Sequence, residues 1–271
     1  MGAFKVRGGV NLVACLPPAE RAAGVVAAST GNHGLSIAFA AQLFGVRATI
    51  FVPHGANAVK VERIRDLGAQ VVVGGSDFDE AREACAAHAQ ATGARYIHSG
   101  DEPLLIAGVA TETLELLEAA PDLDAVVVPV GGGSGAAGAV IAAGALSPDT
   151  EVIGVQSDAA RTAHDAWRSG QRRSGTTSTF AEGLATRDSF DLPQSILRQG
   201  VDDFVLVSDA DIRAAMVVMI ETTQNLVEAA GAAALAAVLR YPERFTGRKV
   251  GVIASGGNIT LDQLRAVIAG Q

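Results

Sequence analysis

The residues best suited to chemistry begin with Lys5, in the segment Phe4-Lys5-Val6-Arg7-Gly8-Gly9. Lysine is scarce here: three stand among 21 basic residues. An amine set between apolar neighbours and taken partly out of water loses its proton closer to neutral pH. The neutral amine can then attack a carbonyl carbon and form a Schiff base, which a guanidinium never does. Lys60, in Val59-Lys60-Val61-Glu62, reads as the solvated face of a helix, and Lys249 as the polar approach to a strand. The setting of Lys5 also suits a surface side chain laying its stem over apolar neighbours, so its meaning depends on the rest of the chain.

Three later loops carry the other candidates. Ser29-Thr30-Gly31-Asn32-His33-Gly34 joins a strand to a helix. Its amides and hydroxyls at a helix start form an anion cradle without a cation, or equally an N-cap with turn glycines. Pro129-Val130-Gly131-Gly132-Gly133-Ser134-Gly135-Ala136-Ala137-Gly138 again leads a strand into a helix. Consecutive glycines let several amides and the helix dipole point at one phosphate. The same stretch satisfies G-x-G-x-x-G, and a strand at Glu151–Gln156 with Asp158 beyond it also fits a dinucleotide fold. Ala254-Ser255-Gly256-Gly257-Asn258 offers a neutral hydroxyl after the last strand, or a simple Ser/Gly turn.

The elements that must position these loops alternate along the chain. Strands are expected at Val25–Ala28, Ala48–Val52, Gln70–Val73, Ala125–Val130, Glu151–Gln156, Phe204–Val207 and Lys249–Ala254. Helical patterns cover Leu35–Phe44, Ala58–Leu67, Asp79–Thr92, Ile106–Ala119, Asp211–Thr222, Ala229–Leu239 and Leu261–Ala269, with one more after the triple glycine. Arg168–Asp191 has little periodicity and reads as an irregular loop. The pattern predicts an α/β protein of two domains, each a mostly parallel twisted sheet flanked by helices.

Composition narrows the function classes. A net charge of −8 argues against nucleic acid or a membrane surface as partner. Apolar residues make up 49% but aromatics only 4%, so alanine, valine and leucine must fill the core. Cys15 and Cys85 are isolated and the five histidines form no metal-like pair, which suits reduced thiols in the cytoplasm and no metal site. The uncharged run 125–148 holds six glycines and Pro129, and is a core segment rather than a membrane span.

Taken in order, FKVRGG, STGNHG, GGGSGAAG and SGGN resemble the fold type II pyridoxal-phosphate enzymes, the tryptophan synthase β-like group. Within them the chain is similar to the threonine/serine dehydratases (ammonia-lyases) and their relative serine racemase. Glu182-Gly183-Leu184-Ala185 and Glu228-Ala229-Ala230-Gly231 add to the match, although the family usually has Pro after the second Glu. The resemblance covers residues 2 to 271.

It implies pyridoxal 5'-phosphate as cofactor and β-elimination of L-threonine and/or L-serine to a 2-oxo acid and ammonia. A racemase, or an eliminase for another small β-substituted amino acid, is the alternative. By the same resemblance Lys5 would hold the cofactor as a Schiff base and act as base on the substrate α-carbon, with Thr30 as a second catalytic hydroxyl. Phe4 would pack beside the ring, Asn32 would meet its 3-hydroxyl, and Ser255 its nitrogen. Gly131, Gly132, Gly133, Ser134 and Gly135 would hold the phosphate, Ser134 standing where a further glycine is usual. Ser29, Thr30, Gly31, Asn32 and His33 would bind the substrate. Gln156 stands where metal-dependent relatives carry Glu, so no metal is expected. The resemblance further implies residues 1–24 and 109–271 as a large cofactor-binding domain, 25–108 as a small one, and a homo-oligomer. Family members carry a further segment ahead of the lysine motif, which adds a non-catalytic cofactor-binding protein as an alternative.

Overall fold

Runs of valine, alanine and isoleucine stiffen the backbone into strands and leave no polar face to turn toward water. The computed structural model describes residues 1–29, 31–56, 58–76 and 78–270. It divides into two compact units, one comprising Met1 and Lys5–Val109, the other Gly2–Phe4 and the chain from Ala110 onward.

In chain order the first unit holds α1 (Lys5–Ala14), α2 (Pro18–Ala23), β1 (Val25–Ala28), α3 (Asn32–Phe44), β2 (Ala48–Val52), α4 (Ala58–Asp66), β3 (Gln70–Val73), α5 (Phe78–Thr92) and β4 (Arg95–Tyr96). It ends within α6 (Pro103–Ala119). Its strands form a parallel sheet in the order β3-β2-β1-β4, with Val25 opposite Ala48 and Arg95, and Thr49 opposite Gln70. β1 is buried along its length, whereas the edge strand β3 is half-exposed. Val26, Ala28, Phe51 and Cys85 pack on one face, and burial pushes the Cys85 thiol up to about 12.

The second unit holds β5 (Ala125–Pro129), α7 (Ser134–Leu146), β6 (Glu151–Ser157), α8 (Thr162–Ser169), α9 (Asp191–Gly200), β7 (Asp203–Val207), α10 (Asp209–Thr223), α11 (Ala229–Arg240), α12 (Pro242–Phe245), β8 (Val250–Val252) and α13 (Leu261–Ala269). The sheet is again parallel, in the order β7-β6-β5-β8. α11 is an alanine helix sealed on most of its circumference, and its small side chains share one buried cluster with Val127, Ile153 and Val155. Residues 170–190 are irregular apart from a 3-10 turn at Glu182–Leu184 and an antiparallel bridge between Ser174 and Asp188. Asp209, at the start of α10, ties that segment down by accepting from Ser157, Thr179 and the Phe180 amide.

Three expectations differ from what is observed. Residues 5–24, expected with the larger unit, pack in the smaller one. Gly8 and Gly9 let α1 lie against α6 and α3, and a Cβ on Gly9 would overlap the Ser36 hydroxyl and backbone. Lys60 is buried rather than solvated, because it shares the inward stripe of α4 with Val61 and Ile64. The last strand is shorter, ending at Val252.

The close approach of α1 to α3 predicts that Gly9→Ala destabilises the chain by about 1–3 kcal/mol. Thermal unfolding should then fall by several degrees. An unchanged midpoint would show that the two helices stand further apart.

Candidate active site

The chemistry-bearing residues fall into two groups, one in each unit. In the first, Lys5 opens α1, and the Ser36 hydroxyl on α3 donates to its backbone carbonyl at 2.6 Å. Its Nζ donates to the Ser99 carbonyl at 3.2 Å. Burial of the amine lowers its pKa to about 8, because the cation has lost solvation.

His33 lies one helical turn before Ser36 on α3. Its Nε2 bonds the Ile97 carbonyl at 3.2 Å, and a carbonyl can only accept, so the proton sits on Nε2. Nδ1 is buried and has no hydrogen-bond partner. Burial, then the nearby Lys5 charge, lowers the His33 pKa to about 3, so the ring stays neutral. His98 follows Ile97, and its Nδ1 accepts from the amides of Gly100 at 3.2 Å and Asp101 at 2.9 Å. Its pKa is lowered mainly by burial.

The loop before α3 offers a different surface. Ser29 is buried, and its hydroxyl accepts from the Gly31 amide at 3.2 Å. Asn32 and His33 are the first residues of the helix, whose opening N–H groups have no intrahelical acceptors. Backbone, rather than the His33 ring, is therefore what this loop presents to an anion. Thr30 lies outside the described residues.

The second group is built around residues 2–4. Ala3 forms an antiparallel bridge with Gly256, the Phe4 amide donates to the Ser255 carbonyl at 3.0 Å, and the Gly257 amide donates to the Gly2 carbonyl at 2.8 Å. The Phe4 ring lies against Gly135 near the start of α7, where an added Cβ would come 3.0 Å from Cε2. The structure thus brings together Phe4, the 254–258 loop and the glycine turn, which are far apart in sequence. Ser255 is buried, and Glu228 donates its amide to the Gly256 carbonyl at 3.0 Å.

Gly132 cannot carry a side chain because a Cβ there would overlap the Phe190 ring, and Gly133 adopts a left-handed φ of 93° as the N-cap of α7. The turn is packed by protein on one side and bears no side chains of its own. Ser134 is buried at the first position of α7, where the helix leaves its opening amides without intrahelical acceptors. Glycine amides, a buried hydroxyl and a helix dipole are the donor set a phosphate needs. A lysine with a lowered pKa is what a cofactor aldehyde needs. On both counts the residues fit pyridoxal phosphate.

Among the described residues no group of three or more His, Cys, Asp or Glu side chains is placed to hold a metal ion. Gln156 is fully buried, and its Oε1 accepts from the His164 amide at 3.0 Å. Sequence reasoning missed Ser36, His98 and the Ile97–Ser99 carbonyls. Ser36 could have been found from its helical spacing to His33, but nothing in the sequence marks two backbone carbonyls.

A family model described as pyridoxal-phosphate dependent enzyme matches residues 1–256. L-threonine ammonia-lyase of Thermotoga maritima is 40% identical over 268 residues, covering 98% of this chain and 67% of that protein. The processed form of threonine deaminase isoform 2 from Solanum lycopersicum superimposes with a TM-score of 0.95 at 31% identity, over 99% of this chain and 79% of that one. Maize serine racemase gives a TM-score of 0.92 at 32% identity, over 99% and 83%.

The lowered Lys5 pKa sets a pH dependence. Between about 8 and the ordinary 10.5 the unfolded chain holds a proton that the folded chain has released, so stability rises with pH across that window. In the cofactor-free chain, Lys5→Met should therefore exceed wild type in urea resistance at roughly pH 7, with the gap closing toward roughly pH 10. A gap independent of pH would contradict the burial of the amine.

Proposed function

We propose a reaction for a chain that belongs to the pyridoxal-phosphate dependent enzyme family: the dehydration and deamination of L-threonine and/or L-serine to a 2-oxo acid and ammonia. The observation that carries it is Lys5, an amine with a lowered pKa placed at the opening of α1. The similarity to L-threonine ammonia-lyase over 98% of the chain supports the choice of substrate.

Bound pyridoxal phosphate supplies an electron sink for the pair left when an amino acid loses its α-proton. Gly131, Gly132, Gly133, Ser134 and Gly135 would hold its phosphate through amides and one hydroxyl, Phe4 would pack beside the ring, Asn32 would meet its 3-hydroxyl, and Ser255 would meet the ring nitrogen. A neutral hydroxyl there does not protonate the nitrogen. That suits an elimination, in which the β-hydroxyl departs promptly and charge need not be stored. The amides opening α3, with Ser29 and Gly31, would orient the substrate carboxylate. Lys5 Nζ, neutral in part near pH 8, would take the proton from Cα. Loss of water leaves an enamine, which hydrolyses to the oxo acid and ammonium.

A second reading, serine racemisation, is favoured by the likeness to the maize racemase. No helix among the described residues is long and apolar enough to cross a membrane. A cytoplasmic location and a homo-oligomer are part of the proposal, the oligomer supported by exposed Ile141 and Leu146 on α7 and Leu261 and Ile268 on α13.

The purified chain should absorb in the visible, and borohydride should fix that chromophore onto Lys5. Threonine or serine should yield oxo acid, and Lys5→Ala should lose both properties. D-serine formed faster than oxo acid would favour the racemase. Chromophore without turnover of any hydroxyamino acid would sink the lyase reading and leave a cofactor-binding protein.

A further inference from the structure

The segment Ile97–Ser99 gathers three titratable side chains on consecutive residues: His33 bonds the carbonyl of the first, the second is His98, and Lys5 bonds the carbonyl of the third. The two imidazoles differ in what they can offer an amine. His98 receives two amide protons on Nδ1, so in its neutral form the remaining nitrogen is a donor. His33 is the reverse. The Ile97 carbonyl fixes its proton on Nε2, leaving Nδ1 a buried lone pair with no hydrogen-bond partner. An acceptor left in that state costs free energy unless something donates to it for part of the time.

Lys5 is a donor near enough for its charge to act on the His33 ring. Ser36, one turn after His33, holds the Lys5 backbone carbonyl at 2.6 Å, so this face of α3 lies against the start of α1. We propose that His33 is a positioning residue for Lys5, its Nδ1 being a second acceptor for the Lys5 amine beside the Ser99 carbonyl. The amine then alternates between the Ser99 carbonyl and the His33 ring, both of them neutral. No proton passes to His33, since an imidazole with a pKa near 3 does not take one at neutral pH. Other charges acting here are His98 on the same segment and, upon His98, Asp101, Glu102 and Arg82 of α5.

This deepens the proposed function, resting on Lys5 as the reactive amine, but its test does not need turnover. The full chain, freed of cofactor, would be acetylated with trace reagent across a pH series. Peptide masses would report Lys5 against Lys60 and Lys249, the other two lysines. The wild-type midpoint should lie near 8. A neutral acceptor stabilises the ammonium, so His33→Phe should lower the midpoint by roughly one unit, while His33→Gln, which restores an acceptor, stays within about half a unit. In the holoenzyme the Phe variant should lose kcat more than KM, with partial rescue by Gln.

Should His33→Phe not fold, imidazole nitrogen NMR of wild type and Lys5→Met decides: the His33 Nδ1 resonance should move toward that of a free imidazole nitrogen. A midpoint unmoved or raised in His33→Phe, or an Nδ1 resonance indifferent to Lys5→Met, overturns the proposal. Failure of the function reading shows separately, as a chromophore retained in Lys5→Ala.

Discussion

Everything at the lysine end of the molecule depends on how closely α1 approaches its neighbours. Gly8 and Gly9 on α1 and Gly108 on α6 remove the side chains that would hold these helices apart. Only at that separation can the Ser36 hydroxyl reach the Lys5 carbonyl, and only then does the Lys5 amine leave water. The reactivity of one nitrogen is thus set by absent methyl groups several residues away. Larger side chains at these glycines would reopen the gap and return an ordinary surface lysine.

The second unit uses the same economy of volume for a different end. Alanine in α11 and valine in β5 and β6 bring helix and sheet close together, and a sheet buried on both faces holds the turns at its strand ends firmly. Residues 2–4 join this framework as a short antiparallel partner of the 254–258 loop. A segment that short would fray alone. Two backbone hydrogen bonds to one loop and a ring against Gly135 fix its conformation.

Much of this was legible in the sequence. Val25–Ala28, Ala48–Val52 and Gln70–Val73 form strands at the expected bounds, because uninterrupted β-branched runs leave little choice. The glycine turn and the Ser255 loop stand at strand-to-helix junctions, as their punctuation implies. What was not legible depended on partners. β4 is two residues long and exists only through pairing with β1. Lys60 looked polar, but its place on the inward stripe of α4 outweighed its type. The Ile97–Ser99 carbonyls have no sequence signature, since every residue has one, and only folding chooses which of them meet Lys5 and His33.

The two cysteines divide in a way that matters for handling the protein. Cys85 is buried and its thiol pushed up to about 12, whereas Cys15 is exposed just beyond the end of α1. Maleimide chemistry near neutral pH will therefore attach to Cys15 and spare Cys85. Ten residues of helix, about 15 Å, separate that attachment point from Lys5. The native chain already carries a single-site handle for a fluorophore or spin label, at energy-transfer range from the chromophore proposed at Lys5.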